Sequence, residues 1–164
     1  MELSDLTSVA AFTESLRDTG DIVNLLVNAA RVMATPEQVT AQGWEFQFGT
    51  NHLGHFALTA GLAPLLADGA RVVPYSSVVH FYSPVRFDDI NFAASEYDPL
   101  LAYGQSKAAN ALFAVALDAC GAARGIHAYS DTPAGRDALA LGVRAAHAAD
   151  TTLDIVVVRH AENA

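Results

Sequence analysis

At 164 residues the chain suits one domain and is long enough to bury a real core. With 52% hydrophobic and 16% charged residues, the composition is that of a globular protein and not of a disordered one. Nine Lys and Arg against 18 Asp and Glu leave a net charge of −9, which repels phosphate backbones and argues against a nucleic-acid partner.

Near the N-terminus, Ser4 and Asp5 supply capping groups, and Val9, Phe12 and Leu16 follow at helical spacing, so a helix is expected up to Gly20. Ile22 to Val27, with Asn28 at its end, is a branched apolar run that reads as a buried parallel strand. After a turn at Thr35-Pro36 the pattern predicts a long helical region from about Glu37 to Leu66. Gly69 then precedes a strand at Arg71 to Tyr75. Val79 to Leu101 is polar and aromatic, carries Pro84 and Pro99, and reads as a loop of the kind that roofs a site. Tyr103 to Ala119 is expected to be helical, Ile126 to Ser130 a short strand, Gly135 to Ala149 an Ala-rich helix, and Leu153 to Val158 a last strand. Strands alternating with helices imply an α/β fold, a partial doubly wound (Rossmann-like) parallel sheet with helices on both faces, and a single domain over residues 1–164.

Cys120 is the only cysteine, which excludes an intrachain disulfide and fits a reducing compartment; near a helix end it reads as a small packing group. No apolar stretch approaches the ~20 residues that span a bilayer, and the N-terminus lacks a basic-then-apolar leader, so the expectation is a cytoplasmic chain without a membrane partner.

The chemistry-bearing stretch is Tyr103-Gly104-Gln105-Ser106-Lys107, which sets a phenol and an ammonium on one helix face four residues apart. A lysine charge beside a tyrosine hydroxyl favours the phenolate, and that is how tyrosine becomes a proton donor or acceptor. The strand at Arg71 to Tyr75 delivers Ser76 and Ser77 to its carboxyl end, where Ser77 can hydrogen-bond a substrate oxygen beside Tyr103. Asn51 and Gly54 are spaced to share a helix side, and a buried Asn there needs partners, the alternative being one that merely ties the helix to a neighbouring strand. His52 and His55 are three apart, but neither has a carboxylate or cysteine close in sequence, so no metal is assigned.

With Asn51, Ser77, Tyr103 and Lys107 in that order, the sequence resembles the short-chain dehydrogenase/reductase family, most closely its retinol-dehydrogenase-like branch. The phrases carrying the likeness are Gln47-Phe48-Gly49-Thr50-Asn51-His52-Leu53-Gly54-His55-Phe56, Ser76-Ser77-Val78-Val79-His80, Phe87-Asp88-Asp89-Ile90-Asn91-Phe92 and Ala102-Tyr103-Gly104-Gln105-Ser106-Lys107-Ala108-Ala109-Asn110. The resemblance implies an NAD(P)-dependent oxidoreductase, with NAD or NADP as cofactor and an alcohol or carbonyl compound as substrate. It implies that Tyr103 exchanges a proton with the substrate oxygen, Lys107 lowers the tyrosine pKa and holds the nicotinamide ribose, Ser77 polarises the carbonyl, and Asn51 holds a water leading from Lys107 to solvent. It also implies that Glu2 contacts the adenine and that Asn28 and Ala30 pass beneath the cofactor, and it suggests a homo-oligomer formed through the helices of 37–66 and 103–119.

The likeness spans about residues 2 to 134. The family's glycine-rich diphosphate turn has no counterpart in this sequence, and the domain is expected to be an incomplete one of dinucleotide-binding type. At Asn28-Ala29-Ala30-Arg31 the family has Asn-Asn-Ala-Gly, so Arg31 either blocks the pocket or points outward to grip a phosphate. Pro133-Ala134 stands for an expected Pro-Gly. Val156-Val157-Val158-Arg159-His160 superficially resembles the opening of histidine phosphatases, but four residues after His160 are too few for that fold, and a final strand with a polar tail is the better reading. Without a neighbouring first strand, Ile22 to Val27 is expected to be an exposed, association-prone edge. The alternative function is therefore a catalytically silent fragment or pseudoenzyme that recruits a partner through that edge, or a truncated product with no function.

Overall fold

The computed structural model describes residues 1–128 and the strand at 155–157. Four parallel strands, β1 (Val23–Asn28), β2 (Leu66–Pro74), β3 (His127–Ala128) and β4 (Ile155–Val157), form one sheet in the order β3-β2-β1-β4. Around it lie α1 (Leu6–Thr19), α2 (Phe46–Phe48), α3 (Gly54–Leu62) and the long α4 (Pro99–Gly121). No helix among the described residues is long and apolar enough to cross a membrane.

Helix α1 begins where the sequence places a cap: the Asp5 carboxylate accepts from Thr7 N–H, and Gly20 closes the helix in the left-handed region, where glycine has no Cβ to strain. Strand β1 alternates as a doubly buried strand should. Leu26 points with Val72 into the main core, which Val9, Leu58 and Leu62 complete, while Leu25 and Val27 join Val73 on the opposite face. Helices α1, α3 and α4 lie on the Leu26 side, the last through Leu117. The helix expected at Gly135 to Ala149 falls outside the described residues, as do the end of the strand at Ser130, the Pro133-Ala134 departure and the Arg159-His160 tail.

Several boundaries differ from the sequence expectation for physical reasons. The helical region does not begin at Glu37. Residues 37–45 form an irregular excursion, with Gly43 at φ 82° and a Val39–Glu45 bridge, and helix starts only where the Glu45 carboxylate caps the amides of Gln47 and Phe48. Pro99 at the first helical position and Asp98, capping Leu100 and Leu101, start α4 one turn before Tyr103. Strand β2 reaches back to Leu66 through an irregular register and a left-handed Gly69 (φ 80°). Strand β1 is not an exposed edge: β4 pairs with it in parallel through Leu25–Ile155, Leu26–Val156 and Val27–Val157. The segment that supplies the missing neighbour comes from the far end of the sequence, and pattern analysis of single strands carries no information on such pairing.

Gly49–Leu53 is a π-helical turn joining α2 to α3, closed by Gly54 N–H donating to Gly49 O. The backbone of Leu3 lies hard against Gly54: a Cβ there would stand 2.4 Å from the Leu3 carbonyl oxygen. Replacing Gly54 with Ala is expected to destabilise the fold by about 1–3 kcal/mol through this backbone clash. A thermal melt should show a clear fall in Tm, and an unchanged midpoint would contradict the packing.

Candidate active site

The carboxyl ends of β1 and β2 and one face of α4 converge on a polar cluster. Tyr103, Lys107 and Asn110 lie at i, i+4 and i+7 of α4 and are all buried. Lys107 is 1% exposed, and its Nζ donates to the Tyr75 carbonyl at 3.0 Å and stands 5.7 Å from the centroid of the Tyr103 ring. Tyr75 follows directly on β2, and its N–H donates to the Asn28 carbonyl at the end of β1. The backbone of one residue, through its N–H and its C=O, thus ties two strand ends to the lysine.

Ser76 and Ser77 come next along the chain. Ser76 is the more buried, and its hydroxyl donates 2.7 Å to the Lys107 carbonyl, clamping the end of β2 onto α4. Ser77 is half-buried and leads into a 3-10 turn at Val78–Phe81. That turn packs on α4 at Gly104, where a Cβ would approach Ser83 Cβ to 2.4 Å. Glycine is required there by the close approach.

Asn51 sits fully buried in the π turn. Its amide closes on the segment after β1, with Val32 N–H donating to Oδ1 and Nδ2 donating to Val32 O, both at 2.9 Å, and Nδ2 also reaches Ser106 Oγ at 3.0 Å. The side chain therefore ties the π turn both to the segment after β1 and to α4, and the Asn51 carbonyl faces α4 as well. That carbonyl accepts from Asn110 Nδ2 at 3.0 Å and from His55 Nδ1 at 2.8 Å.

The remaining expected residues lie at the ends of the site. Asn28 is buried, donating from Nδ2 to Thr59 Oγ1 at 3.0 Å, and its Oδ1 is buried without a partner. Ala30 is buried and Arg31 is exposed. Glu2 is exposed, and its carboxylate accepts from the Ser4 amide and hydroxyl.

Two buried polar residues, Gln47 and Asn110, were not singled out from the sequence, and a third, His55, was weighed there only as half of a metal pair. Gln47 receives Ala34 N–H and donates to Tyr97 Oη and Pro99 O, so it holds together the loops flanking the site. Asn110 bridges two carbonyls. His55, four residues from Asn51 on the same side, is the third; its spacing is the one signal the sequence offered. The Nδ1 atoms of His52 and His55 face different acceptors, Asn110 Oδ1 and Asn51 O. Among the described residues no group of three His, Cys, Asp or Glu side chains is placed to hold a metal.

Burial pushes His55 down to a pKa of about 4, with the Lys107 charge acting in the same direction, against the bond to Asn51 O. Folded His55 is neutral, whereas the unfolded residue protonates near 6.5, so the unfolded state binds the extra proton in between. Stability should therefore fall as pH drops from about 6.5 to about 4, by about 3 kcal/mol in all. Burial raises Glu45, which acts with the opposite sign, so the comparison that isolates the histidine is wild type against His55→Asn. Urea midpoints across this range should lose their acid slope in the variant; an identical slope would contradict the assignment.

No family model matches the chain. Among curated proteins it is 48% identical over 118 residues to a probable oxidoreductase of Streptomyces antibioticus, covering 70% of this chain and 39% of that one. It is 39% identical over 115 residues to human retinol dehydrogenase 13, covering 69% and 35%. Among solved structures, an uncharacterised protein from Mycobacterium paratuberculosis superposes with a TM-score of 0.69 at 43% identity, covering 78% of this chain and 46% of that one. A short-chain dehydrogenase from Burkholderia cenocepacia in complex with NADP shares the fold, with a TM-score of 0.57 at 20% identity over 76% and 47% of the two chains. The chain spans about two-fifths of the length of the curated relatives it matches.

Proposed function

Because the matched stretch of this chain is that of a short-chain dehydrogenase/reductase of the retinol-dehydrogenase-like branch, we propose that it carries the proton-transfer site of an NAD(P)-dependent oxidoreductase acting on an alcohol or carbonyl compound. The observation that carries this reading is the buried Lys107 ammonium 5.7 Å from the Tyr103 ring.

The donors suit the ribose and nicotinamide end of such a cofactor. Lys107 offers an ammonium to ribose hydroxyls, and Asn28 Oδ1, a buried acceptor without a partner at the end of β1, marks where a donor is wanted. Ala30 keeps the side chain small along the same stretch. Among the described residues no glycine-rich turn joins a strand to a helix at this edge, so the fit is to the ribose–nicotinamide half and not to the diphosphate. Arg31, being exposed, and Glu2 are the side chains left to meet the rest of the cofactor. When bound, the nicotinamide supplies the hydride chemistry.

The chain's own residues handle the proton. Tyr103 Oη gives it to a developing alkoxide, or takes it from an alcohol. Lys107 stands with its ammonium 5.7 Å from the centroid of the Tyr103 ring and offers its donors to the ribose. Ser77 holds the substrate oxygen beside the phenol, and Ser76 fixes the strand end from which Ser77 leads; Asn51, whose side-chain amide and carbonyl are both taken up by protein partners, acts as a brace of the π turn in place of the water-holding role expected of it.

The test is fluorescence titration with NADH and NADPH. Saturable but weak binding is expected, and Lys107→Ala should weaken it further. Tyr103→Phe should keep binding while losing about 100-fold or more in turnover. Absence of binding at millimolar cofactor would remove the assignment and leave the second reading, a catalytically silent chain acting through protein contact.

With β4 seated on β1 that second reading loses the strand edge expected to recruit a partner, and it shares with the proposal of a homo-oligomer one remaining surface. Phe56, Leu112 and Val115 are exposed on α3 and α4 beside an apolar groove of about 260 Å³, floored by Ala109 and Ala116. Neither α3 nor the stretch of α4 from Ala108 to Leu117 carries a charge, so two copies can meet there despite the acidic chain. Sedimentation should show self-association that Leu112→Glu abolishes; a monomeric wild-type chain would refute it.

A further inference from the structure

Asn110 lies one turn beyond Lys107 on the same face of α4, at a depth where an apolar side chain would ordinarily pack. It is a buried amide with every principal group engaged. Nδ2 donates to Asn51 O and to Tyr75 O, each at 3.0 Å, and Oδ1 faces His52 Nδ1 at 3.0 Å. Two carbonyl acceptors fix the amide nitrogen's direction, so Oδ1 must accept, and His52 must carry its proton on Nδ1. His52 is in turn wedged among Phe48, Phe56 and Phe113, with ring centroids 5.1 to 6.2 Å away, and burial holds its pKa down.

The Tyr75 carbonyl is the decisive atom, because it accepts both Lys107 Nζ and Asn110 Nδ2, one for each lone pair. Tyr75 lies just past the last residue of β2, so its carbonyl orientation is not fixed by a ladder bond. The Asn110 amide is the neutral side-chain donor that holds it, beside the anchors at Asn28 O and Ser76 on either side. A lysine side chain is long and rotamer-rich, and its ammonium settles where the acceptor stands. A fully apolar residue at 110 would fill the space equally well but would leave that acceptor free to turn.

We propose that Asn110 is a positioning residue for Lys107: it holds the Tyr75 carbonyl that receives the ammonium, and His52 locks the Asn110 amide in the required orientation. The proposal rests on the oxidoreductase reading for its significance, but its geometry can be tested without turnover. Lys107 is the only lysine in the 164 residues. Protein grown on ¹⁵N-lysine therefore gives a single side-chain ammonium resonance.

In the wild-type chain that resonance should be sharp and protected from exchange at neutral pH. Asn110→Leu, close in volume but without the donor, should shift it and speed its exchange by about tenfold, as expected when a group loses one ordinary hydrogen bond's worth of restraint. His52→Phe keeps the ring contacts, releases only the amide lock, and should move the same resonance the same way by less. If Asn110→Leu fails to fold, as judged by circular dichroism, His52→Phe decides the matter alone. Wild-type shift and exchange in a folded variant would overturn the proposal, including the case in which only the melting temperature falls. NADPH titration of the same samples separates the two levels. Failure of the wild type to bind removes the functional reading while the ammonium result still judges the positioning, and binding with an unmoved ammonium removes the positioning alone.

Discussion

A single positive charge placed in the interior governs the site. An ammonium almost wholly removed from water must find fixed acceptors or give up its proton. At Lys107 one of these acceptors is a backbone carbonyl at the end of a strand, and the surrounding residues can be read as the means of keeping that carbonyl in place. Asn28 O holds the Tyr75 amide, Asn110 holds its oxygen, and Ser76 ties the following residue to α4. The same polar atoms that satisfy the charge also bind β1, β2, the π turn and α4 into one unit, so the chemistry and the architecture at this edge of the sheet have a common cause.

The π turn makes this economical in length. By widening one turn of the helix, Gly49–Leu53 presents the Asn51 carbonyl toward α4 while the Asn51 side chain reaches back to the segment after β1. One residue therefore contacts three elements. A regular helix would engage that carbonyl in its own ladder.

Much of this was legible in the sequence because it rests on local rules. The capped start of α1, the apolar run of β1 and the i, i+4 pair on α4 each follow from a few neighbouring residues. The family likeness came from several phrases in order. What was not legible depends on partners distant in sequence or on backbone detail. Nothing local distinguishes Glu45 as a cap from Glu37 as a helical residue until Gly43 and the Val39 bridge are placed. The role of Asn110 needs the Tyr75 carbonyl, thirty-odd positions upstream, to be known first. Strand β4 was recognised as a strand, but its seat beside β1 is a tertiary fact, and it reverses the expectation of an open edge.

That seat has a bearing on how the chain assembles. Strands β1 and β2, with the helices around them, form their contacts within the first three-quarters of the sequence, whereas β4 must be brought back from its end. Closing so long an intervening segment carries an entropic cost that favours its arrival after the rest has condensed. Until β4 docks, the flank of β1 that it covers presents unpaired backbone groups. In that interval a chaperone or a neighbouring nascent chain competes with β4 for the same row of amides and carbonyls.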